Sequence, residues 1–382
     1  MKIKAIDLFS GCGGVSCGLV NSGFKVTGAV EIDKNAARIY KNYHKLKDVN
    51  VIVDDIFNVT GLELLKSSKI KTDELYLLAG CPPCQNFSSQ NRIGKLKTEE
   101  EKEALLMQYL RIIKEIHPPF ILLENVAGIK SPSNLNILQK FINELQNEKS
   151  SEIKEKYHVV SAILNAANYG VPQRRRRFVL HVVRQDMFEI LKNKGVEVSL
   201  PKQTHDELGK NGLAKWISVW DVISDLPPIE AGEHFNSETI KNHSCANLSD
   251  INIERMKVIR QNGGNRESLP ESLKLRCHKN YSGHKDVYGI INPDLPAPTM
   301  TGGCLSYSKG RFGHPYQNRA LSIREAARIQ TFPDDFEFDD CTTKSALQIG
   351  NAVPVKLVEV SAKQILQEIT TCLNILKNKK SS

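Results

Sequence analysis

The chain has 382 residues, 40% hydrophobic and 25% charged, with room for one large domain and one smaller one, and no run of about 18 apolar residues that would form a membrane span. Its net charge of +9 suits a polyanionic partner such as nucleic acid, although a lysine-rich bias gives the same sum. Nine cysteines, an odd number, and an N-terminus (Met1-Lys2-Ile3-Lys4-Ala5-Ile6-Asp7) without a signal peptide's apolar core argue for a reducing cytoplasm and against a disulfide framework.

Ile3 to Phe9 reads as a strand that runs into Ser10-Gly11-Cys12-Gly13-Gly14. Glycines there let the backbone approach a ligand and leave helix N–H groups free for polar atoms. Lys25 to Ile32 is the second strand and ends at Glu31, where an acid commonly takes ribose hydroxyls. Lys34 to Tyr43 has helical spacing. Asn50 to Val53 is a short strand, and Asp55 behind it can accept from an adenine amino group. A Gly-x-Gly-Gly loop alone is equally a tight turn. Two carboxylates at consecutive strand ends favour a nucleoside.

Leu75 to Ala79 is a fourth strand, followed by Gly80-Cys81-Pro82-Pro83-Cys84-Gln85-Asn86-Phe87-Ser88. A thiol directly after a rigid Pro-Pro pair stands at a sheet edge, a usual place for catalytic groups in open α/β sheets. Ala104 to Ile116 reads as a helix stopped by His117-Pro118-Pro119. The apolar run from Phe120 ends in Glu124-Asn125-Val126. A nucleophile and an acid at neighbouring strand ends suit covalent addition to a polar ring. Tyr157 to Leu164 and Arg177 to Val183 complete a βαβ rhythm, which predicts a mostly parallel sheet with helices on both faces. The run Gln173-Arg174-Arg175-Arg176-Arg177 enters the last strand, so at least one arginine is expected in the sheet-edge cleft and not on a solvated patch.

The character changes after about residue 185. Residues 232–291 are polar, glycine-punctuated and poor in periodicity, and read as part of a small separate domain. Helical patterning returns at Ser322 to Gln330 and at Val355 to Ile375, and the tail from Lys377 to Ser382 is expected to fray.

Taken in order, these segments resemble the DNA (cytosine-5) methyltransferase family. The matching pieces are Asp7-Leu8-Phe9-Ser10-Gly11-Cys12-Gly13-Gly14, Glu31, Asp54-Asp55-Ile56, Pro83-Cys84-Gln85, Glu124-Asn125-Val126 and Gln173 to Arg177, then Arg319 to Pro333 and Gln348-Ile349-Gly350-Asn351-Ala352-Val353-Pro354. The resemblance covers nearly the whole chain except the middle of the polar segment, and looks like the prokaryotic restriction-modification type. It implies an α/β, Rossmann-like, S-adenosylmethionine-dependent methyltransferase fold with a smaller irregular target recognition domain. Residues 1–185 would be the catalytic and cofactor-binding domain, 186–318 the recognition domain with its flanks, and 319–382 a return segment completing the catalytic domain. The implied cofactor is S-adenosyl-L-methionine, lined by Phe9, Gly11 and Gly13, with Glu31 on the ribose and Asp55 on the adenine. Asn351 belongs to a late segment that, in the family, packs back onto the first motif.

The implied chemistry accounts for the residue types. Carbon 5 of cytosine is a poor nucleophile, and a thiolate added at carbon 6 makes it enamine-like. Cys84 is that thiolate. Glu124, beside ring nitrogen 3, must be protonated to donate. Arg177 holds the base's carbonyl oxygen, and Arg175 supports the same pocket or a phosphate. The target atom is buried in a duplex, so the base is flipped out. Ser88 to Thr98 looks like the family's loop that closes over DNA. It departs from the usual pattern, because Glu99-Glu100-Glu101 stands where an Asp-x-Arg-like element often occurs. His234, His243, His278, His284, Arg266, Arg276 and Lys279 are candidate DNA contacts, whereas Trp216 and Trp220 read as packing. The implied partners are double-stranded DNA and, functionally, a cognate restriction endonuclease. A cytoplasmic monomer is the default.

Rival readings make different demands on the sequence. Cys81-Pro82-Pro83-Cys84 is also a Cys-x-x-Cys, but it has no second pair, and His243-Ser244-Cys245 and Cys277-His278 lack finger spacing, so no metal is expected. An amino-methyltransferase places Asp/Asn-Pro-Pro-Tyr/Phe after a strand, whereas His117-Pro118-Pro119-Phe120 precedes one. Two alternatives stay open: an RNA-acting branch of the same family, and a catalytically inactive DNA-binding relative. The sizeable polar segment favours DNA over the first. The joint presence of Cys84, Glu124 and Arg177 argues against the second.

Overall fold

Apolar runs without polar alternation need cover on both faces, and the central strands have it. The computed structural model describes residues 2–71, 73–83, 99–147, 156–278, 283 and 286–381. Its strands β1 (Lys4–Leu8), β2 (Lys25–Val30), β3 (Asn50–Ile52), β4 (Tyr76–Gly80), β5 (Phe120–Val126), β6 (Tyr157–Asn165) and β7 (Arg176–Arg184) form one sheet in the order β3-β2-β1-β4-β5-β7-β6. Neighbours pair in parallel except around β7, which runs antiparallel to both β5 and β6. The mostly parallel α/β sheet expected from the βαβ rhythm is therefore present. Its order turns back on itself between β1 and β4, and such a switch point opens a crevice at the carboxyl ends of the strands.

The chain folds as two compact units. The first takes Met1–Asn165, Arg176–Lys202 and Leu357–Ser382. It holds the sheet together with α1 (Gly14–Ser22), α2 (Lys34–Asn42), α3 (Gly61–Ser67), α4 (Glu99–Ile116), α5 (Leu135–Gln146) and α6 (Gln185–Asn193). Its core joins Leu8, Leu78, Ile121 and Leu180 of the sheet to Tyr109, Ile113 and Phe141 of the helices.

The second unit takes Ala166–Arg175 and Gln203–Lys356. Residues 186–202 therefore stay with the sheet, and 319–356 go with the second unit. It contains α7 (Trp220–Ile223), α8 (Asp250–Gln261), α9 (Ile323–Ile329), α10 (Thr342–Asn351) and two short sheets, β8 (His205–Asp206) with β9 (Ala214–Lys215) and β10 (His234–Phe235) with β11 (His243–Ser244). A small core of Met256, Ile259, Leu269, Leu273, Ile290 and Tyr307 lies around α8. The last helix, α11 (Val355–Ser381), brings the chain back to the first unit. Among the described residues no helix is long and apolar enough to cross a membrane.

Candidate active site

The turn after β1 is built for close approach. Phe9 has φ 59, a left-handed conformation rare for a bulky residue, and Gly11 and Gly13 follow at φ 55 and 106. A Cβ on Gly13 would press on Leu46 Cδ1 at 2.9 Å, so packing also demands glycine there. A Cβ on Gly11 would meet nothing within 4 Å, which leaves that side of the turn open to a ligand. Glu31, the residue after β2, reaches across: its Oε2 accepts from Gly11 N at 2.7 Å and its Oε1 from Asp33 N at 2.8 Å. Burial pushes the Glu31 carboxyl up from its ordinary value, against the lowering effect of those two N–H groups.

Beneath the turn, Asp7 is fully buried and its Oδ2 accepts from Ser16 Oγ at 2.6 Å. Burial raises its pKa to about 7; the Ser16 hydrogen bond opposes that rise and the nearby Glu31 adds to it. Asp7 Oδ1 and Ser10 Oγ are buried without a hydrogen-bond partner among the described residues. Such orphaned groups are unusual in a packed interior and fit a site that a polar ligand completes.

Asp55 lies three residues beyond β3, and its Oδ1 accepts from Phe57 N at 3.1 Å. Beside these carboxylates Ile32, Val53 and Phe57 are 63%, 39% and 52% exposed. These apolar neighbours, suited to the faces of a flat ring, were not picked out from the sequence. The available signal was their position one to five residues after the ends of β2 and β3. The edge of β1, β2 and β3 thus combines an open glycine turn, two acceptor carboxylates and apolar surface, which fits a nucleoside.

The second cluster lies at the ends of β4, β5 and β7. Gly80 pairs with Leu123, so residues 81–83 leave β4 beside Glu124, which lies two residues before the end of β5. Arg177 stands opposite Val126 on the antiparallel neighbour. Arg177 Nε lies 2.9 Å from Glu124 Oε1, with both side chains largely buried. Cys81 Sγ donates to Glu124 Oε2 at 2.8 Å, and Asn125 Nδ2 donates to Pro82 O at 3.4 Å. Glu124 Oε1, although ion-paired, accepts no hydrogen bond among the described residues. The sequence read Cys81 only as half of a Cys-x-x-Cys, so its thiol on Glu124 is an addition. Cys84, and the segment from Ser88 to Thr98, lie outside the described residues.

Arg175 takes no part in the Glu124–Arg177 pair. It is 2% exposed in the second unit and donates to the main-chain carbonyls of Met300 (2.6 Å), Gly350 (2.9 Å) and Ala352 (3.0 Å). These carbonyls engage both terminal nitrogens of the guanidinium. Gln173 belongs to the same node, linking Gln330 Oε1 and Met300 N, both at 2.8 Å. Asn351 is the exposed last residue of α10, in the second unit.

Among the candidate DNA contacts, His243 is fully buried, with its ring nitrogens on Ser322 Oγ (2.9 Å) and Pro227 O (2.8 Å). Arg266 is 6% exposed and donates to Gly283 O. Both serve the interior, so neither presents a surface to DNA. His234 and Arg276 are exposed, whereas Lys279, His284 and the His278 side chain lie outside the description. Trp216 donates to Asn168 Oδ1 at 2.9 Å, and Trp220 packs edge-on against Tyr316 at 4.6 Å, as packing residues do.

Known proteins resemble this chain along its length. The profile of the family described as C-5 cytosine-specific DNA methylase matches residues 3–367. The Type II methylase M.HgiDII of Herpetosiphon aurantiacus is 34% identical over 94% of this chain and 94% of its own. The Type II methyltransferase M1.HphI of Haemophilus parahaemolyticus is 32% identical over 96% of this chain and 87% of its own. A solved E. coli prophage protein, described as a DNA modification methyltransferase, shares the fold with a TM-score of 0.65 at 24% identity, covering 97% of this chain and 100% of that one.

Proposed function

The chain belongs to the C-5 cytosine-specific DNA methylase family, and from that premise we propose that it flips a cytosine out of duplex DNA, adds Cys84 covalently to ring carbon 6 and methylates carbon 5 within a short recognition sequence. Enzymes of this family use S-adenosyl-L-methionine, which when bound supplies an electrophilic methyl group carried on a sulfonium. Phe9, Gly11 and Gly13 line its place, Glu31 accepts from the ribose hydroxyls, and Asp55 accepts from the adenine amino group.

The observation that carries the reading is the Glu124 cluster. One carboxylate is held between Arg177 and the Cys81 thiol, with Oε1 accepting no hydrogen bond among the described residues. The Cys84 thiolate attacks carbon 6 and forms the C–S bond. Glu124, which must first take up a proton, donates at nitrogen 3 and offsets the charge that develops there, while Arg177 holds the carbonyl oxygen. Carbon 5 becomes nucleophilic; the methyl group it gains would come from the sulfonium, whose sulfur would keep the bonding pair as a neutral thioether. A base then takes the carbon 5 proton, the electron pair re-forms the ring double bond, and the C–S bond breaks to return the thiolate.

The names of the Type II relatives support a role in restriction-modification. A cognate endonuclease would be its functional partner and double-stranded DNA its substrate. One polypeptide suffices for base flipping, so the enzyme acts as a monomer in the cytoplasm.

Bisulfite sequencing of DNA from a methylation-free host expressing the chain tests this directly. Methylcytosine confined to one short motif is expected, absent with Cys84→Ala and reduced by about 10²-fold or more with Glu124→Gln. Equal product from wild type and Cys84→Ala would sink the mechanism. Soluble, cofactor-binding protein that leaves DNA unmodified would turn the reading toward RNA or an inactive relative.

A further inference from the structure

The segment that carries Asp55 is held by α4. Arg111 Nη2 donates to the carbonyls of Ile56 at 2.7 Å and Val59 at 2.9 Å. Its Nε donates to Gln108 Oε1 at 2.6 Å, and its Nη1 to Glu115 Oε1 at 2.5 Å, one helical turn further on. Glu115 Oε2 in turn accepts from the N–H of Gly61, the first residue of α3, at 2.5 Å. A planar guanidinium and a carboxylate therefore grip both ends of residues 56–61 through main-chain atoms. Gly61 permits this approach, because a Cβ there would lie 2.8 Å from Glu115 Cβ. Ile56 and Val59 are buried at 3% and 2%, while Phe57 between them is 52% exposed and its N–H fixes the Asp55 carboxylate. A partly exposed ion pair on one helix contributes little stability by itself. The three hydrogen bonds from its two members to main-chain atoms outside α4 are what distinguish this one.

We propose that Arg111 and Glu115 are positioning residues for the cofactor. They set the main chain after β3, and through it the place of the Asp55 carboxylate, so they tune adenine recognition without touching the ligand. The inference rests on the reading of Asp55 as the acceptor for the adenine amino group.

Calorimetry on the full chain with two probes separates the possibilities. The probes are S-adenosylhomocysteine and S-inosylhomocysteine, in which an oxygen replaces the amino donor. Wild type should prefer the adenosyl compound, and Asp55→Ala should erase that preference. Arg111→Met should weaken S-adenosylhomocysteine about five- to tenfold and shrink the preference, while S-inosylhomocysteine stays within about twofold. Arg111→Lys, able to serve one carbonyl, should fall between. If Arg111→Met does not fold, Glu115→Gln carries the test, because it keeps an acceptor for Gly61 but loses the charge that orients Arg111. Variants that melt earlier yet keep both affinities and their ratio would overturn the proposal. Asp55→Ala with a wild-type preference would instead overturn the reading of Asp55, and the positioning role with it.

Discussion

At the scale of single residues, Glu325 concentrates the buried charge of the second unit. Its carboxylate is 1% exposed and accepts from Arg319 at 2.8 and 2.6 Å and from Ser322 N at 2.8 Å. Burial alone would raise its pKa, but the two-pronged Arg319 contact holds it at about 2. His314 lies 3.5 Å away, and its Nδ1 accepts from Tyr316 N at 3.1 Å and Gln317 N at 2.9 Å, so the ring must be neutral. Burial pushes it down to about 4, with Glu325 opposing that shift and Arg319 reinforcing it.

Both shifts act in one direction. The unfolded chain takes up protons that the folded one refuses, so stability falls as pH drops. His314 acts between its ordinary 6.5 and about 4, and Glu325 between 4.5 and about 2. Asp7, raised to about 7, acts in the opposite sense, so the His314 contribution is read as a difference: between pH 7 and pH 5 the urea midpoint of wild type should fall relative to that of His314→Gln. Parallel pH profiles of wild type and His314→Gln from pH 7 to 5 would remove His314 from the account. Glu325→Gln strands a buried guanidinium and should cost roughly 3–5 kcal/mol at neutral pH.

The same scale shows what the sequence disclosed about the site. Glu124 and Arg177 were legible because each ends or opens an apolar strand. Cys81 and Arg175 were not, because their contacts lie 43 and 125 or more residues away. No spacing rule distinguishes Arg175 from Arg177.

Among the elements, α10 shows packing overriding propensity. Gly350 sits in its last turn, and an added Cβ would land on the Thr301 carbonyl and Gly302 N, which are backbone atoms with nowhere to go. Alanine gains about 1 kcal/mol over glycine in an open helix. Here Gly350→Ala should lower the melting temperature, because helix and strap must separate and the Arg175 bonds to Met300 and Gly350 lengthen. A raised melting temperature would show that the strap yields freely.

Strands were readable from sequence to within a residue or two, since a sheet covered on both faces needs unbroken apolar runs. Helices were less so. The apolar spacing of α4 announced Ala104 onward, yet the helix starts at Glu99. In α8 the inward face includes Arg255, whose Nε donates to Leu273 O at 2.7 Å. A buried arginine breaks the pattern by which an amphipathic helix is recognised.

On the scale of the whole molecule, the first unit is assembled from three stretches of sequence, the last being most of α11. That helix buries Leu357, Val358, Ile365 and Ile369. It also sets Glu368 Oε2 3.2 Å from His181 Nε2 on β7, with both side chains 2% exposed or less. Four such apolar side chains, at ~1.5–3 kcal/mol each, match much of a typical stability margin of ~5–15 kcal/mol. Ending the chain at Lys356 should therefore abolish cooperative unfolding of the first unit and binding of S-adenosylhomocysteine. Retained binding at wild-type affinity would show the helix to be dispensable.

The placement of α11 also sets a timetable for synthesis. Every residue of the second unit has been translated by Lys356, while the first still awaits Leu357 onward. On the ribosome the later unit can therefore close first, and the earlier one stays open until the final helix clears the exit tunnel. A nascent sheet covered on both faces in the finished protein spends that interval with one patch bare, so chaperone demand should last until Leu357 onward has emerged.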